Sequence, residues 1–243
     1  MRAVGSRVRP SRHVPTADVC SMRVFYAGNM NYIFPKVYPI LDSSTIPVEG
    51  RAEFLRRLGG SLADAGVTLL EYRNKTGSEA ELRADGAILR AALPAGQVKL
   101  ILDDRVDLVE ALGFDGVHVD AGDATPAEAR RMVGADRIVG TFGGSESLLP
   151  GILKEPADYF SIGPVYATMT KQTDKAPIGI EGVRKLRAEA GPEAVLVGAA
   201  GITLATAPLV LAAGASVLAV AEAIFGAEDP AAEFRRWLER IGG

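Results

Sequence analysis

The chain has 243 residues, 48% of them hydrophobic, which is enough to bury the core of one large domain or two small ones. Its formal net charge is −3, so the chain as a whole carries no field that would attract nucleic acid. No apolar run approaches the roughly 18 residues that a membrane-spanning helix needs. The single cysteine, Cys20, excludes an intrachain disulfide and favours a reducing, cytoplasmic compartment.

Residues 1–35 differ in composition from the rest of the chain. They are rich in arginine, contain a single acid, Asp18, and show no hydrophobic periodicity. Such a leader is compatible with a transit peptide, but a loose tail is the simpler interpretation. We therefore predict a loose N-terminal extension over residues 1–35 and one folded domain over residues 36–243.

From Val37 onward, short apolar runs alternate with segments of helical spacing. The runs are rich in Val, Ile and Leu and only partly alternating, as expected for strands covered on at least one face. Strands are predicted at 37–42, 68–73, 99–104, 116–120, 137–142, 159–165, 194–200 and 217–222. Helices are predicted between them, at 49–66, 105–113, 125–134 and 203–214 among others.

Eight strands alternating with helices predict an α/β fold, a single (β/α)₈ TIM barrel. A doubly wound open sheet is the alternative. Such sheets more often use fewer strands, and no G-x-G-x-x-G motif follows the first predicted strand. The sequence therefore favours the barrel.

Polar residues gather where the predicted strands end, which is the active face of such barrels. The second strand is followed by two cations, the third by a pair of acids, and the sixth by a Thr-x-Thr-Lys motif. In chain order the residues are Arg73, Lys75, Asp103, Asp104, Asp120, Asp123, Thr168, Thr170, Lys171 and Glu222.

Each of these residues also has a purely structural interpretation. Arg73 and Lys75 could be solvated loop charges, and Asp104 could cap a helix that starts at Arg105. Thr168 could hydrogen-bond its own backbone. His118 lies inside an apolar run, where a packed core histidine is more common than a catalytic base.

The combination favours function over these separate interpretations. Carboxylates and cations at adjacent strand ends would line one depression that carries both positive and negative charges. Carboxylates alone would repel a phosphorylated ligand, whereas Mg²⁺ accepts one or two carboxylates together with substrate phosphates. Lysine and arginine can then neutralise the remaining phosphate charge. The sequence therefore predicts a magnesium site that binds phosphorylated small molecules, and it favours neither nucleic acid nor a membrane as a partner.

Five segments, in this order, resemble the thiamine-phosphate synthases: "YRNK", "DDRVDLVEALGFDGVHV", "GPVYATMTK", "IGIEG" and "AAGIT". The resemblance covers roughly residues 37–225 and implies a (β/α)₈ barrel. It also implies a magnesium-dependent transferase. In that family a hydroxymethylpyrimidine diphosphate loses diphosphate, and the nitrogen of a thiazole phosphate captures the resulting cation to give thiamine phosphate.

The resemblance also implies roles for individual residues. Asp104 and Asp123 match the two magnesium aspartates. The positions that match the pyrimidine-diphosphate site are Glu71, Arg73, Lys75, Asp103 and Lys171. Those that match the thiazole-phosphate site are Thr168, Thr170, Ala200, Gly201, Ala221 and Glu222.

Several of these positions depart from the family pattern. Glu71 and Asp103 replace a glutamine and an asparagine, so an amide that can donate becomes a carboxylate that, when ionised, only accepts. Phe142 replaces a serine after the fifth strand. Ala200 replaces a glycine, and Ala221-Glu222 replaces a Val-Ser pair, which sets a carboxylate against the thiazole phosphate.

The departures leave two alternatives open. One is a degenerate barrel that binds a phosphorylated ligand without synthase activity. The other is the related thiazole tautomerase, which is weaker because the histidine that serves as its base would stand at Pro164.

Overall fold

A computed structural model describes residues 32–120, 122–168 and 175–242. Its eight strands are all parallel and pair in sequence order, with the last paired to the first, so they close into a barrel. The strands are β1 (Val37–Asp42), β2 (Leu69–Arg73), β3 (Lys99–Asp103), β4 (Gly116–Val119), β5 (Ile138–Gly144), β6 (Tyr159–Ile162), β7 (Leu196–Ala199) and β8 (Val217–Val220). The predicted (β/α)₈ barrel is confirmed.

Helices connect the strands on the outside of the barrel. Those in the described residues are α1 (Arg51–Asp64), α2 (Glu79–Ala92), α3 (Pro126–Val133), α4 (Gly179–Ala190), α5 (Ala207–Ala212), α6 (Glu222–Phe225) and α7 (Pro230–Ile241). None of these helices is long and apolar enough to cross a membrane.

The connection between β3 and β4 differs from the prediction. Residues 105–113 were expected to form an α-helix, but the structure has a short 3₁₀ turn at Val106–Leu108 followed by hydrogen-bonded turns. This connection spans only about a dozen residues, and Leu108 and Val109 are buried within it. The helical spacing of its apolar residues therefore reflects burial against the barrel and not a regular helix.

The interior of the barrel is filled by alternate residues of the strands, because successive side chains of a strand point to opposite faces. The part of the interior nearest the N-terminal ends of the strands is an apolar and aromatic cluster comprising Tyr38, Leu69, Ile101, Ile138, Tyr159, Val197, Val217 and Ala219. Two aromatic residues that precede β1 close this end: the ring of Phe34 lies 4.9 Å from that of Tyr32 and 5.6 Å from that of Tyr159. Residues 1–31 lie outside the described residues, so the predicted extension stays a prediction.

A second and larger core lies between the barrel and the helices. It includes fully buried side chains from α7, such as Phe234 and Trp237, and from the outward faces of the strands, such as Leu70 and Leu102. Because the two cores hold the strands rigidly from both sides, the residues at the strand ends are fixed with respect to one another.

Candidate active site

Strands β2 and β3 place the predicted basic pair directly beside the predicted acidic pair. Nζ of Lys75 lies 3.0 Å from Oδ2 of Asp103 and also contacts the carboxylate of Asp104. Nε of Arg73 lies 3.5 Å from Oδ2 of Asp103. These four charges therefore form one connected cluster at the mouth of the barrel, and Arg73 and Lys75 are not isolated loop charges.

Asp42, at the end of β1, belongs to the same cluster, although sequence reasoning missed it. It is buried, accepts a hydrogen bond from the backbone amide of Ser44 at 3.0 Å, and pairs with the guanidinium of Arg73. Burial alone would raise the pKa of Asp42, but the hydrogen bonds from Ser44 and Arg73 outweigh it and hold the pKa below its ordinary value. The sequence feature that could have identified Asp42 is that the first predicted strand, like the third, ends in an aspartate.

The two predicted magnesium aspartates lie close to each other. Burial, and after it the neighbouring carboxylate of Asp104, raise the pKa of Asp123. Asp123 is held by the backbone amide of Asp120, which donates to its Oδ2 at 3.0 Å. Asp104 has a backbone φ of 65°, a left-handed conformation that is uncommon outside glycine and often marks a functional position.

This arrangement fits Mg²⁺ bound together with a phosphorylated ligand. Oδ1 of Asp104 is buried and accepts no hydrogen bond from the described part of the chain. Within that part, no group of three or more His, Cys, Asp or Glu side chains is placed to hold a metal by itself. Two adjacent carboxylates with a free oxygen suit Mg²⁺, which takes few protein ligands and completes its shell with phosphate oxygens and water.

Glu71 lies deeper in the barrel than this cluster. It is only 3% exposed, and its Oε2 accepts a hydrogen bond of 3.2 Å from the hydroxyl of Tyr38 on the neighbouring strand. Burial raises the pKa of Glu71 to about 7. The positive charge of His118 and the hydrogen bond from Tyr38 oppose this rise, whereas the negative charges of Asp103 and Asp120 add to it.

His118 faces Glu71 from β4 and was expected to be a packed core histidine. It is buried, but its surroundings are polar: Nδ1 lies 3.1 Å from the hydroxyl of Tyr159, and Nε2 lies 3.6 Å from Oδ1 of Asp120. Burial alone would lower the pKa of His118, yet Asp120 and then Glu71 outweigh it and raise the pKa to about 9. Tyr38, Tyr159 and His118 thus form a polar layer around Glu71 that sequence reasoning did not identify as part of the site.

The opposite side of the mouth is built by the segments that follow β6 and β7. The backbone amides of Val165 and Tyr166 donate to the carbonyls of Ala199 and Ala200 at 2.9 and 3.1 Å, so the two segments run side by side. Thr168 is half-buried near the end of the first segment. Thr170 and Lys171 lie outside the described residues, so their predicted contacts stay predictions.

The remaining predicted residues lie around this second half of the mouth. Ala200 and Gly201 both have left-handed backbones, with φ of 69° and 68°. Ala221 follows β8, and Glu222 begins α6 with its side chain exposed. The ring of Phe142, two residues before the end of β5, is covered by the ammonium of Lys175 at 3.8 Å from the ring centre.

Comparison with known proteins agrees with this geometry. Residues 37–224 match the family model described as thiamine monophosphate synthase. The chain is 37% identical over 201 residues to the thiamine-phosphate synthase of Koribacter versatilis, covering 82% of this chain and 94% of that protein. It is 36% identical over 203 residues to the enzyme of the same name from Agrobacterium fabrum, covering 82% and 90%. Among solved structures, the thiamine phosphate pyrophosphorylase from Pyrococcus furiosus superposes with a TM-score of 0.67 at 28% identity, covering 85% of this chain and 95% of that one.

Proposed function

The chain belongs to the thiamine monophosphate synthase family, and we propose that it joins hydroxymethylpyrimidine diphosphate to thiazole phosphate, giving thiamine phosphate and diphosphate. The observation that carries the proposal is the cluster at the mouth, where Lys75 contacts Asp103 and Asp104 and where Asp104 lies beside Asp123. Such a cluster has the charges needed to hold a diphosphate together with a divalent cation.

In this proposal the chain's main task is to position two phosphorylated substrates. Lys75 and Arg73 bind the oxygens of the diphosphate as it leaves, so the electron pair of the breaking carbon–oxygen bond stays on a stabilised anion. The thiazole nitrogen then forms the new bond to the pyrimidine methylene carbon. The segment around Thr168 and Gly201 holds the thiazole phosphate on the opposite side of the mouth.

The metal half of the proposal rests on Asp104 and Asp123. When bound there, Mg²⁺ would neutralise charge on the diphosphate and make it a better leaving group. The side chains themselves contribute orientation: the left-handed backbone at Asp104 and the amide of Asp120 behind Asp123 fix the directions of the two carboxylates.

The proposed partners are phosphorylated small molecules, with neither nucleic acid nor a membrane among them. The net charge of −3 and the presence of a single cysteine support this proposal and a cytoplasmic location.

The test is calorimetric titration of hydroxymethylpyrimidine diphosphate into the full chain, with and without Mg²⁺, followed by an assay for thiamine phosphate. We choose Asp104→Asn because asparagine tolerates a left-handed backbone and removes only the charge. The matched control is Asp107→Asn, on an exposed residue three positions after Asp104 that pairs with Arg105. We expect binding that depends on Mg²⁺, a loss of at least about tenfold in affinity in Asp104→Asn, and no change in the control.

The outcomes separate the proposal from its alternatives. Magnesium-dependent binding without formation of thiamine phosphate would favour the binding barrel over the synthase. If the diphosphate does not bind in either condition, the synthase proposal is wrong.

A further inference from the structure

Glu71 lies directly below the residues proposed to bind the diphosphate. It and Arg73 are two residues apart on β2, so both side chains point into the barrel, separated by about 7 Å along the strand. A ring attached to a diphosphate held at Arg73 and Lys75 would therefore reach down toward Glu71.

The titratable groups around Glu71 come from several strands of the barrel. Tyr38 lies on β1, Asp103 on β3, His118 on β4 with Asp120 directly after it, and Tyr159 on β6. The cations of this region pair with other acids: Arg73 with Asp42, Lys75 with Asp103 and Asp104, and His118 with Asp120.

The imidazolium of His118 favours the ionised form of Glu71, but it pairs with Asp120, and its effect on the pKa of Glu71 is smaller than that of burial. Within the described residues Glu71 has no ion pair within 4 Å, and its hydrogen-bond donor, Tyr38, is neutral. A carboxylate buried in this way becomes neutral by taking up a proton. The pKa of Glu71 changes in the direction that favours the neutral acid, since burial raises it to about 7.

A neutral carboxyl group has a hydrogen-bonding pattern that an ionised one lacks. Its hydroxyl donates and its carbonyl accepts, as do the two halves of a glutamine amide, whereas an ionised carboxylate only accepts. An aminopyrimidine ring presents a ring nitrogen that accepts next to an amino group that donates. Neutral Glu71 can pair with that edge through two hydrogen bonds.

We propose that Glu71 binds the pyrimidine ring as the protonated acid, so that binding of the pyrimidine diphosphate weakens as Glu71 ionises. This inference rests on the proposed function and deepens it, because it gives the protonation state in which Glu71 binds and makes binding of the pyrimidine sensitive to pH. It also accounts for a glutamate where the family resemblance implies a glutamine.

The first experiment compares the full chain with Glu71→Gln, which keeps both a donor and an acceptor but cannot ionise. The affinity for hydroxymethylpyrimidine diphosphate is measured with saturating Mg²⁺ between about pH 6 and about pH 9. Above about pH 7 we expect the affinity of the wild type, relative to the variant, to fall about tenfold per pH unit, since only the protonated fraction binds. Taking the ratio cancels the ionisation of the substrate's own phosphates.

The second experiment moves the midpoint of that profile. Tyr38→Phe removes the hydrogen bond that favours the ionised form of Glu71, so the pH profile should shift upward. Loss of packing alone would lower the affinity at every pH and leave the midpoint in place. In parallel, carbon-13 NMR of the labelled carboxyl group, assigned by its absence in Glu71→Gln, follows the titration in the free protein.

The results decide the inference separately from the proposed function. It is overturned if the wild type binds equally well across the range, if Glu71→Gln shows the same profile, or if the Glu71 carboxyl titrates near its ordinary pKa. If neither protein binds the diphosphate at any pH, the proposed function fails and this inference fails with it.

Discussion

The carbonyl of Ala167 lies directly over Gly201, so closely that a Cβ atom added to the glycine would stand 2.5 Å from the carbonyl oxygen. Real Cβ atoms do not approach backbone this closely, so this residue must be glycine or the segment before Thr168 must move. Gly201 therefore joins the loop after β7 to the loop that leads to the Thr-x-Thr-Lys motif.

Gly201→Ala should separate these two loops. We expect weaker binding of thiazole phosphate and a loss of stability greater than that in Gly50→Ala, measured by calorimetry and by denaturant unfolding. Gly50 is a matched control, because its φ of 67° is almost the same as the 68° of Gly201 but nothing lies within 4 Å of its added Cβ. The free energy of unfolding of the control should fall by only about 1 kcal/mol, the cost of a left-handed backbone at alanine. Equal losses in the two variants would show that the contact with Ala167 does not matter.

Ala200 gives a prediction of the opposite sign. Its φ of 69° is unfavourable for alanine, so Ala200→Gly should stabilise the fold by about 1 kcal/mol. Ala199→Gly, one residue earlier at the end of β7, should instead destabilise, because that residue is in an extended strand where glycine costs entropy. Unfolding in denaturant at fixed pH measures both changes, and a loss of stability in Ala200→Gly would contradict the assignment of backbone strain.

An ion-pair network under the β2–α2 connection supports the residues of the mouth. Nη2 of Arg51 lies 2.6 Å from Oδ2 of Asp85, which also accepts a hydrogen bond of 2.5 Å from the hydroxyl of Tyr72. Asn74, between the two predicted cations, donates to the same tyrosine hydroxyl at 3.2 Å. The network therefore holds the turn that carries Arg73 and Lys75.

Asp85→Asn should destabilise the protein by about 3 kcal/mol, because it leaves the half-buried guanidinium of Arg51 with only the more exposed carboxylate of Glu81 as a counter-charge. Glu53→Gln, which breaks the exposed pair between Glu53 and Arg57, is the control and should change stability little. Chemical denaturation gives both values. If Asp85→Asn costs no more than the control, the network does not support the mouth.

The barrel could be predicted from the sequence because its strands are short apolar runs in regular alternation with helices. All eight predicted strands are present, with ends that differ by a few residues. The failure at residues 105–113 has a physical cause: an apolar spacing of three and four is produced by burial of Val106 and Val109 as well as by a helix.

The site could be predicted only in part, for a related reason. Arg73, Lys75, Asp103 and Asp104 follow one another at strand ends, so their meeting in space follows from parallel strands. The polar layer of Tyr38, His118 and Tyr159 could not be predicted. It depends on which alternate residues of their strands face inward and on how far along the barrel axis each side chain lies. Inside an apolar run, such residues are indistinguishable from ordinary core.

His118 should make stability depend on pH. Its folded pKa, about 9, is above the ordinary value of 6.5, so its contribution is fully present below about pH 6.5 and is lost as the pH rises through about 9. The free energy of unfolding of the wild type, relative to His118→Gln, should fall by about 3 kcal/mol over this window. Urea unfolding at a series of pH values measures the difference. A difference that stays constant with pH would show that His118 is uncharged in the folded protein.

Glu222 is the departure most directly opposed to binding of the thiazole phosphate, and its exposure limits the effect. Because its side chain is exposed, water and salt screen its charge, so the penalty is smaller than for a buried carboxylate. Glu222→Ser should therefore raise the affinity for thiazole phosphate by up to about fivefold at low salt, and by less as salt is added. Glu228→Ser, also exposed but beyond the end of α6, is the control for net charge. Equal gains in the two variants, or no dependence on salt, would show that Glu222 does not face the bound phosphate.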